Sequence, residues 1–544
     1  MEVKQLLLKL KEKNYDEKIL NPFQETYCLE YIVKNPQEFL NSSSKHNFEN
    51  NLRIINKKIF SLSESLNYDE YVSYSCILGA FLADSMGSFC EFSSFNKDNQ
   101  KRIFVNKNVF HLPPGQITDD SEMALSLAYS IMDSPSNNIN INIIYFFYSI
   151  WKFSNPFDIG NTIVSALTFD HLKDTLYQEL YEKYKKKNVN YESKSNGFLM
   201  RLSPLIVYCY YYFSKNYIKE ILYSNNNDNK FNLFVEINKI VLNDCLITHP
   251  NGECLCIATL YIYMGLMSLL KMKPEKIYFD FKNFINTEQF KKEYSEVNKL
   301  INDKIINEIE KPSNFEKRNE LFPIDKKNKG YYLHSIKLIL YYLKNFNFLS
   351  VDKLNPTIFR FIINDICNYG GDTDTNGAIV MGILGPIIGL KHFGQELNIL
   401  LEYFNEKRFL YSTSLIYFYM DYLKKNYNSN ENLFSEMKLL KELETSLNNP
   451  IGNKNDVFKK LNKERNNLLN NIKKILKTYD EALNKKNTKH ELKESNNDFT
   501  LLNSNLDFNN DSKKVVDNKD KINNNNNKIS IVNIIAHMLY NKIN

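Results

Sequence analysis

Glycine is scarce in this chain and strictly placed, and no other feature of the sequence limits the fold more. Only 16 Gly and 14 Pro occur in 544 residues, roughly half or less of the usual shares of about 7% and 5%. Few turn formers mean few tight turns, which favours helices over a many-stranded fold. Twelve of the 16 Gly fall in six short segments: 79–87, 115, 160, 197, 252 and 370–389. A chain that avoids Gly elsewhere is expected to use it where a Cβ would obstruct a turn or a close backbone approach.

A chain this long exceeds one ordinary core, so one large domain with extensions, or two domains, is expected. The 14% aromatic content and the lack of a repeat exclude collagen, a coiled-coil array and a wholly disordered chain. The 69 basic and 63 acidic residues leave a net charge of +6, too thin and too dispersed for a nucleic-acid footprint. No nucleic-acid partner is expected. The eight Cys follow no framework spacing, and no apolar leader follows Met1. An intracellular, cytoplasmic protein with reduced thiols is expected. Cys254–Leu270, 17 residues with Thr259 and Tyr261 among them, is short of the roughly 20 needed to cross a bilayer. It reads as a buried helix, and no membrane association is expected.

Residues 1–70 are Lys/Glu/Asn-rich with patches of helical apolar spacing and read as a helical N-terminal extension. Residues 71–430 are apolar and helix-patterned, interrupted by Asn/Lys loops at 133–140, 184–195 and 224–232. Residues 431–544 read as a helical to disordered tail that contains the run of five Asn at 523–527, with one short amphipathic helix at 529–543.

The glycine segments also hold the polar residues. Gly115-Gln116-Ile117-Thr118-Asp119-Asp120-Ser121-Glu122 precedes an apolar stripe at helical spacing. Thr118 is a natural N-cap, and acids suit the first turn of a helix. Capping explains one such segment. Gly370-Gly371-Asp372-Thr373-Asp374-Thr375-Asn376-Gly377 repeats the pattern before Ala378–Leu390. Two matching oxygen-rich helix starts exceed what capping requires. Hard cations such as Mg²⁺ take carboxylate and hydroxyl oxygens, and a two-metal site needs about four carboxylates to offset its charge. A third segment, Ala83-Asp84 to Glu91, sets Glu91 between Cys90 and Phe92, an apolar setting of the kind that tunes a carboxyl group for proton transfer. Asp158-Ile159-Gly160-Asn161-Thr162, Ser195-Asn196-Gly197-Phe198 with Arg201, and Thr248-His249-Pro250-Asn251 complete the set. Singly, Asn196-Gly197 reads as a turn, Arg201 as a surface residue and His249 as a core or capping residue.

With all six segments in order, residues 71–395 resemble the ADP-ribosylglycohydrolase family, most specifically in T-D-D-S-E-M-A and G-G-D-T-D-T-N. The resemblance implies an all-α, compact, orthogonally packed helical fold with two Mg²⁺ ions below an ADP-ribose cleft. It places Thr118, Asp119 and Asp120 in one metal-ligand cluster and Asp372, Asp374 and Thr375 in the other. Glu91, Asp120 and Asp374 are the implied catalytic carboxylates, and Glu91 is either the base for water or the acid for the leaving group. Asn196 and Gly197 match a loop that holds the diphosphate and ribose, and His249 matches a residue lining the cleft. The implied partners are ADP-ribose and an ADP-ribosylated protein. Two departures stand out. Ala83 replaces a usual Gly, which suits a helix with no close approach there, and Phe198 replaces a usual small residue, which questions the pocket shape.

The implied chemistry is hydrolysis at the anomeric carbon of the distal ribose. A catalytically silent ADP-ribose binder of the same fold is the alternative, and loss of metal acids would be its signature; none is lost. A two-metal phosphohydrolase of another helical type would carry a His-Asp ligand pair, whereas this chain has Asp170-His171.

Overall fold

The computed structural model describes residues 66–104, 112–134, 139–153, 156–167, 190–311, 328–346, 357–405 and part of 416–427. Apart from residues 66–70, the expected N-terminal extension lies outside the described residues, as does the whole tail from 431. Every regular element described is helical, and the one β contact is an isolated bridge between Ser195 and Tyr331. The all-α expectation holds.

In chain order the helices are α1 (Tyr68–Gly87), α2 (Asp119–Asp133), α3 (Ile141–Phe153), α4 (Asn161–Ala166), α5 (Ser203–Tyr212), α6 (Lys215–Tyr223) and α7 (Asn227–Thr248). There follow α8 (Gly252–Leu269), α9 (Pro274–Ile285), α10 (Tyr332–Asn345), α11 (Thr357–Tyr369), α12 (Thr373–Ile388) and α13 (Glu396–Asn405). Short helical turns lie between α9 and residue 309.

The long helix α1 begins with a capping box, in which the Asn67 side chain accepts from Glu70 N while the Glu70 carboxylate accepts from Asn67 N. Every residue from Val72 to Gly87 is buried, as expected of a helix that is apolar on all sides. It runs against α12, which is also buried nearly throughout. A Cβ on Gly377 would lie 3.1 Å from the Ala83 carbonyl oxygen. The helices therefore do approach closely at Ala83, contrary to the sequence expectation, and the space comes from the opposing Gly377. Further along α12, Pro386 has no N–H for the Gly382 carbonyl, and the Cys76 thiol donates to that oxygen instead, at 3.1 Å.

Around this pair, α5 packs on α1 and α2, α10 and α11 pack on α12, and α7 lies along α8. Among the described residues α8 is the one helix long and apolar enough to cross a membrane, yet 83% of it is buried inside the protein. Each fully buried aliphatic side chain on it, such as Leu260 or Leu266, contributes about 1.5–3 kcal/mol to the core.

The stretch 224–232, read from sequence as a loop, is a loop only to Asn226. Its side chain accepts from Asn229 N, and α7 starts at Asn227 with Asp228 in its first turn. An Asn-rich stretch supplies caps as readily as turns, and the apolar residues Phe231, Leu233 and Phe234 beyond it are buried.

Candidate active site

Three helix starts and the end of α1 converge on one group of acids. The last turns of α1 carry Asp84, and the loop after it carries Glu91. Asp119 and Asp120 open α2, Asp158 stands just before α4, and Asp372 and Asp374 open α12. The approach of α1 to α12 depends on Gly87. A Cβ there would lie 2.5 Å from Asp374 Cα, and the Gly87 carbonyl accepts the Thr373 hydroxyl at 2.7 Å.

Thr118 and Asp372 occupy N-cap positions, yet neither side chain caps its helix. The Thr118 hydroxyl is placed to donate to Asp84 Oδ1 at 2.8 Å or Asp120 Oδ2 at 3.0 Å. Asp372 Oδ2 accepts from Asn196 Nδ2 at 2.8 Å. The polar side chains at both helix starts serve the acid group rather than the helix ends.

Asp84, Asp120 and Asp374 bring carboxylate oxygens within 4.8 Å of one another, as do Glu91, Asp372 and Asp374. Asp374 belongs to both sets. The Thr375 hydroxyl donates to Asp120 Oδ2 at 3.4 Å. Asp119 and Asp158 lie within hydrogen-bonding reach of each other, as do Glu91 and Asp374. Two such acids either share a proton or ionise together only around a cation.

The electrostatics follow from burial. Glu91 is pushed up to about 9 by desolvation first, then by Asp372 and Asp158. Burial also holds Asp119, Asp120 and Asp374 well above the ordinary carboxylate range, and neighbouring acids add to it. Asp158 is raised to about 6, mainly by desolvation. Asp84 also rises to about 6 by burial, although it accepts from the backbone N–H and hydroxyl groups of both Thr118 and Ser121. Those bonds saturate Asp84. By contrast, Asp120 Oδ1 and Glu91 Oε2 are buried with no hydrogen-bond partner. A buried acceptor left without a protein donor is costly. Helix N-termini contribute only partial positive charge. The donor set of carboxylates with the Thr118 and Thr375 hydroxyls suits a hard divalent cation, which would use those two oxygens and offset the shared negative charge.

The Glu91 loop is stitched to the approach to α12. Phe92 N donates to Gly371 O at 2.7 Å, and Gly371 N returns a bond to Ser93 O at 2.9 Å. Gly370 and Gly371 both have positive φ, and a Cβ on Gly370 would meet Ser93 O at 2.4 Å. Asn99 Nδ2 reaches Ser93 Oγ, Ser94 O and Cys367 O, joining the same two segments. Glu91 and Asp372 are therefore held as one unit.

The Asn196 loop closes the opposite side. Asn196 N donates to Gly330 O at 2.8 Å, and a Cβ on Gly330 would lie 3.1 Å from Asp372 Oδ2. Gly197 faces Ile163 and His249. His249 is fully buried, with Nε2 on Ser195 Oγ at 2.8 Å and Nδ1 on Thr248 Oγ1 at 2.9 Å. Burial, and then the Arg201 charge, hold its pKa well below the usual range. Phe198 points into the core against His249 and Tyr332, so it does not narrow the acid cluster. Arg201, read singly as a surface residue, is fully buried. It pairs with Asp244 at 2.9 Å and donates to Gly197 O at 2.8 Å.

The structure thus gathers Glu91, Thr118, Asp119, Asp120, Asp372, Asp374 and Thr375 in one place and brings Asn196 to their edge. Gly197 follows Asn196 in the same turn, and His249 lies behind it. Sequence reading assigned no role to Asp84 or Asp158, although both stand in the segments it singled out. It missed Gly330 altogether, and an isolated Gly just before the apolar helical run of α10 was the available signal.

Residues 73–411 match the ADP-ribosylglycohydrolase family profile. A putative ADP-ribosyl glycohydrolase of Acanthamoeba polyphaga mimivirus is 28% identical over 329 residues, 59% of this chain and 88% of that protein. An ADP-ribosyl-[dinitrogen reductase] glycohydrolase of Rhodospirillum rubrum is 34% identical over 93 residues, 16% of this chain and 31% of that protein. A solved structure described as an ADP-ribosylglycohydrolase-related protein complex aligns with a TM-score of 0.43 at 18% identity, over 65% of this chain and all of that one.

Proposed function

The chain belongs to the ADP-ribosylglycohydrolase family, and on that premise we propose that it hydrolyses the glycosidic bond joining ADP-ribose to a modified protein or another conjugate. The observation that carries the reading is the buried carboxylate group on three helix starts, with Asp120 Oδ1 and Glu91 Oε2 left without donors.

In this proposal Thr118, Asp119, Asp120, Asp372, Asp374 and Thr375 would hold two Mg²⁺ ions, Asp374 lying in both acid sets. Mg²⁺ suits an all-oxygen donor set, and when bound it supplies charge neutralisation and lowers the pKa of water. The chain's own residues do the rest. Asp84, saturated by Thr118 and Ser121, orients Thr118 toward the acid group. Asn196 orients Asp372. The substrate breaks its bond at the anomeric carbon of the distal ribose, a water oxygen forms the new bond there, and the leaving group takes a proton. Positive charge builds on the ring as the bond breaks, and the carboxylates around it stabilise that charge. Glu91, whose carboxyl is raised first by burial and then by Asp372 and Asp158, is the group suited to exchange a proton with that water or the leaving group. Asn196 and Gly197 would take the diphosphate and ribose, with His249 holding their loop from behind through Ser195. The catalytic unit is assigned to residues 71–430, flanked by an extension at 1–70 and a tail at 431–544.

The test is direct. The full chain is incubated with arginine-, serine- and poly-ADP-ribosylated substrates, with Mg²⁺ or with EDTA, and free ADP-ribose is followed. Release that needs Mg²⁺ is expected from at least one substrate. No release from any, or release unaffected by EDTA, would overturn the reading or its metal requirement respectively.

A further inference from the structure

Among the described residues, three cationic side chains stand on the Asn196 loop and on the segment bridged to it. Two are committed to carboxylates: Lys194 to Glu253 at 2.7 Å and Arg201 to Asp244 at 2.9 Å. The third, Lys329, is not. Its Nζ donates to the Phe92 carbonyl at 2.7 Å and lies 5.5 Å from the Phe92 ring centre, and among the described residues no carboxylate pairs with it. An ammonium carries three donors, so this one keeps capacity in hand.

Its position is defined at both ends. The next residue, Gly330, accepts from Asn196 N and lies against Asp372 Oδ2. The far end of the side chain reaches Phe92, the residue after Glu91. Lys329 therefore spans from the Asn196 loop to the Glu91 loop at the edge of the acid group. The Glu91 loop does not need that bond to stay in place. Phe92 and Ser93 are already held by Gly371, and Ser93 and Ser94 by Asn99. The contact with the Phe92 carbonyl is exchangeable for a stronger acceptor. Phe92 itself is 49% exposed, so the exchange takes place at an accessible rim.

ADP-ribose brings a doubly charged diphosphate to a site rich in carboxylates, where the anion needs a cation that no acid has claimed. We propose that Lys329 is that cation, leaving the Phe92 carbonyl to bind a phosphate oxygen of the substrate. The assignment rests on the ADP-ribose reading above. It adds a charged recognition residue on a segment distinct from the Asn196–Gly197 loop.

The experiment measures ADP-ribose binding to the full chain by calorimetry with Mg²⁺ present, for the wild type, Lys329→Met and Lys329→Arg, at low and high KCl. Lys329→Met keeps the apolar stem and removes the charge, and should weaken binding about tenfold at low salt. Its affinity should also depend less on KCl than that of the wild type. Lys329→Arg should stay within about threefold of the wild type, and both variants should melt at the wild-type temperature. Equal affinity of the wild type and Lys329→Met would overturn the Lys329 assignment and leave the ADP-ribose reading standing. A loss shared by Lys329→Arg and accompanied by a lower melting temperature would make the residue structural and overturn it as well. Absence of any binding by the wild type would remove the ADP-ribose reading together with this one.

Discussion

Asn196 Nδ2 donates to Asp372 Oδ2 at 2.8 Å, joining residues 176 positions apart in the chain. The bond ties the loop before α5 to the start of α12 and fixes how one acid of the cluster presents its second oxygen. Residues that orient metal-binding carboxylates typically cost about 10–100-fold in metal affinity or activity when removed. Asn196→Ala is therefore expected to weaken Mg²⁺ binding, read by calorimetry, by a factor in that range. Unchanged Mg²⁺ affinity would show that Asp372 needs no such support.

Asp119→Asn combined with Asp374→Asn should abolish turnover and remove any Mg²⁺-dependent thermal shift. Without metal the double variant should melt at or above the wild-type temperature, because the substitutions relieve buried like-charge crowding. Activity that survives both substitutions would sink the metal assignment.

Glu91→Gln keeps the size of the side chain and removes its capacity to transfer a proton. Turnover should drop by about 10²–10⁴-fold, as for a general acid–base residue, while ADP-ribose affinity changes by less than about tenfold. A collapse in affinity with the saturated rate preserved would make Glu91 a binding or gating residue.

The acids also set a pH dependence. Glu91 is raised from 4.5 to about 9, and Asp84 and Asp158 from 3.8 to about 6. A raised folded pKa means the native state holds the proton more tightly than the unfolded chain. The resulting stability is complete below the unfolded values and is lost as pH rises through about 6 and then about 9. Metal binding displaces those protons. The gain in melting temperature from Mg²⁺ should therefore widen from about pH 5 to about pH 9. A gain that is constant with pH would count against a cation among these acids.

Arg201 and Asp244 are 0% and 1% exposed, and the Tyr148 hydroxyl also donates to Asp244. Arg201→Met leaves a buried carboxylate without its cation and should cost roughly 3–5 kcal/mol in urea unfolding. Replacing both partners, Arg201→Met with Asp244→Leu, should recover much of that loss. A single variant as stable as the wild type would show that the pair does not hold the Asn196 loop.

The local signals in the sequence were strong where the physics is local. Helical periodicity, the Asn and Thr residues at helix starts, and acids in first turns are written within a few residues of each other. The helices beginning at Asp119 and Thr373 could therefore be read directly, together with the two acid segments they carry. Scarce glycine marked most of the close approaches, including Gly87 against Asp374. The same local reading failed at 224–232, where an Asn-rich stretch that could turn or cap was settled by the burial of Phe231, Leu233 and Phe234.

Other features depend on partners far away in the chain, and only packing could decide them. The sequence could not tell whether the Thr118 hydroxyl caps α2 or faces Asp84, which is 34 residues away. Burial of Arg201 depends on Asp244, which α7 delivers. Phe198 turns into the core because His249 and Tyr332 form a place for its ring. Gly330 matters because it lies against Asp372. The sequence by itself determined a helical chain with two acid-bearing helix starts, because capping and periodicity act over one or two turns. Tertiary structure decided which acids are saturated and which keep a free oxygen, because hydrogen bonding and desolvation depend on whatever the fold brings within a few ångströms.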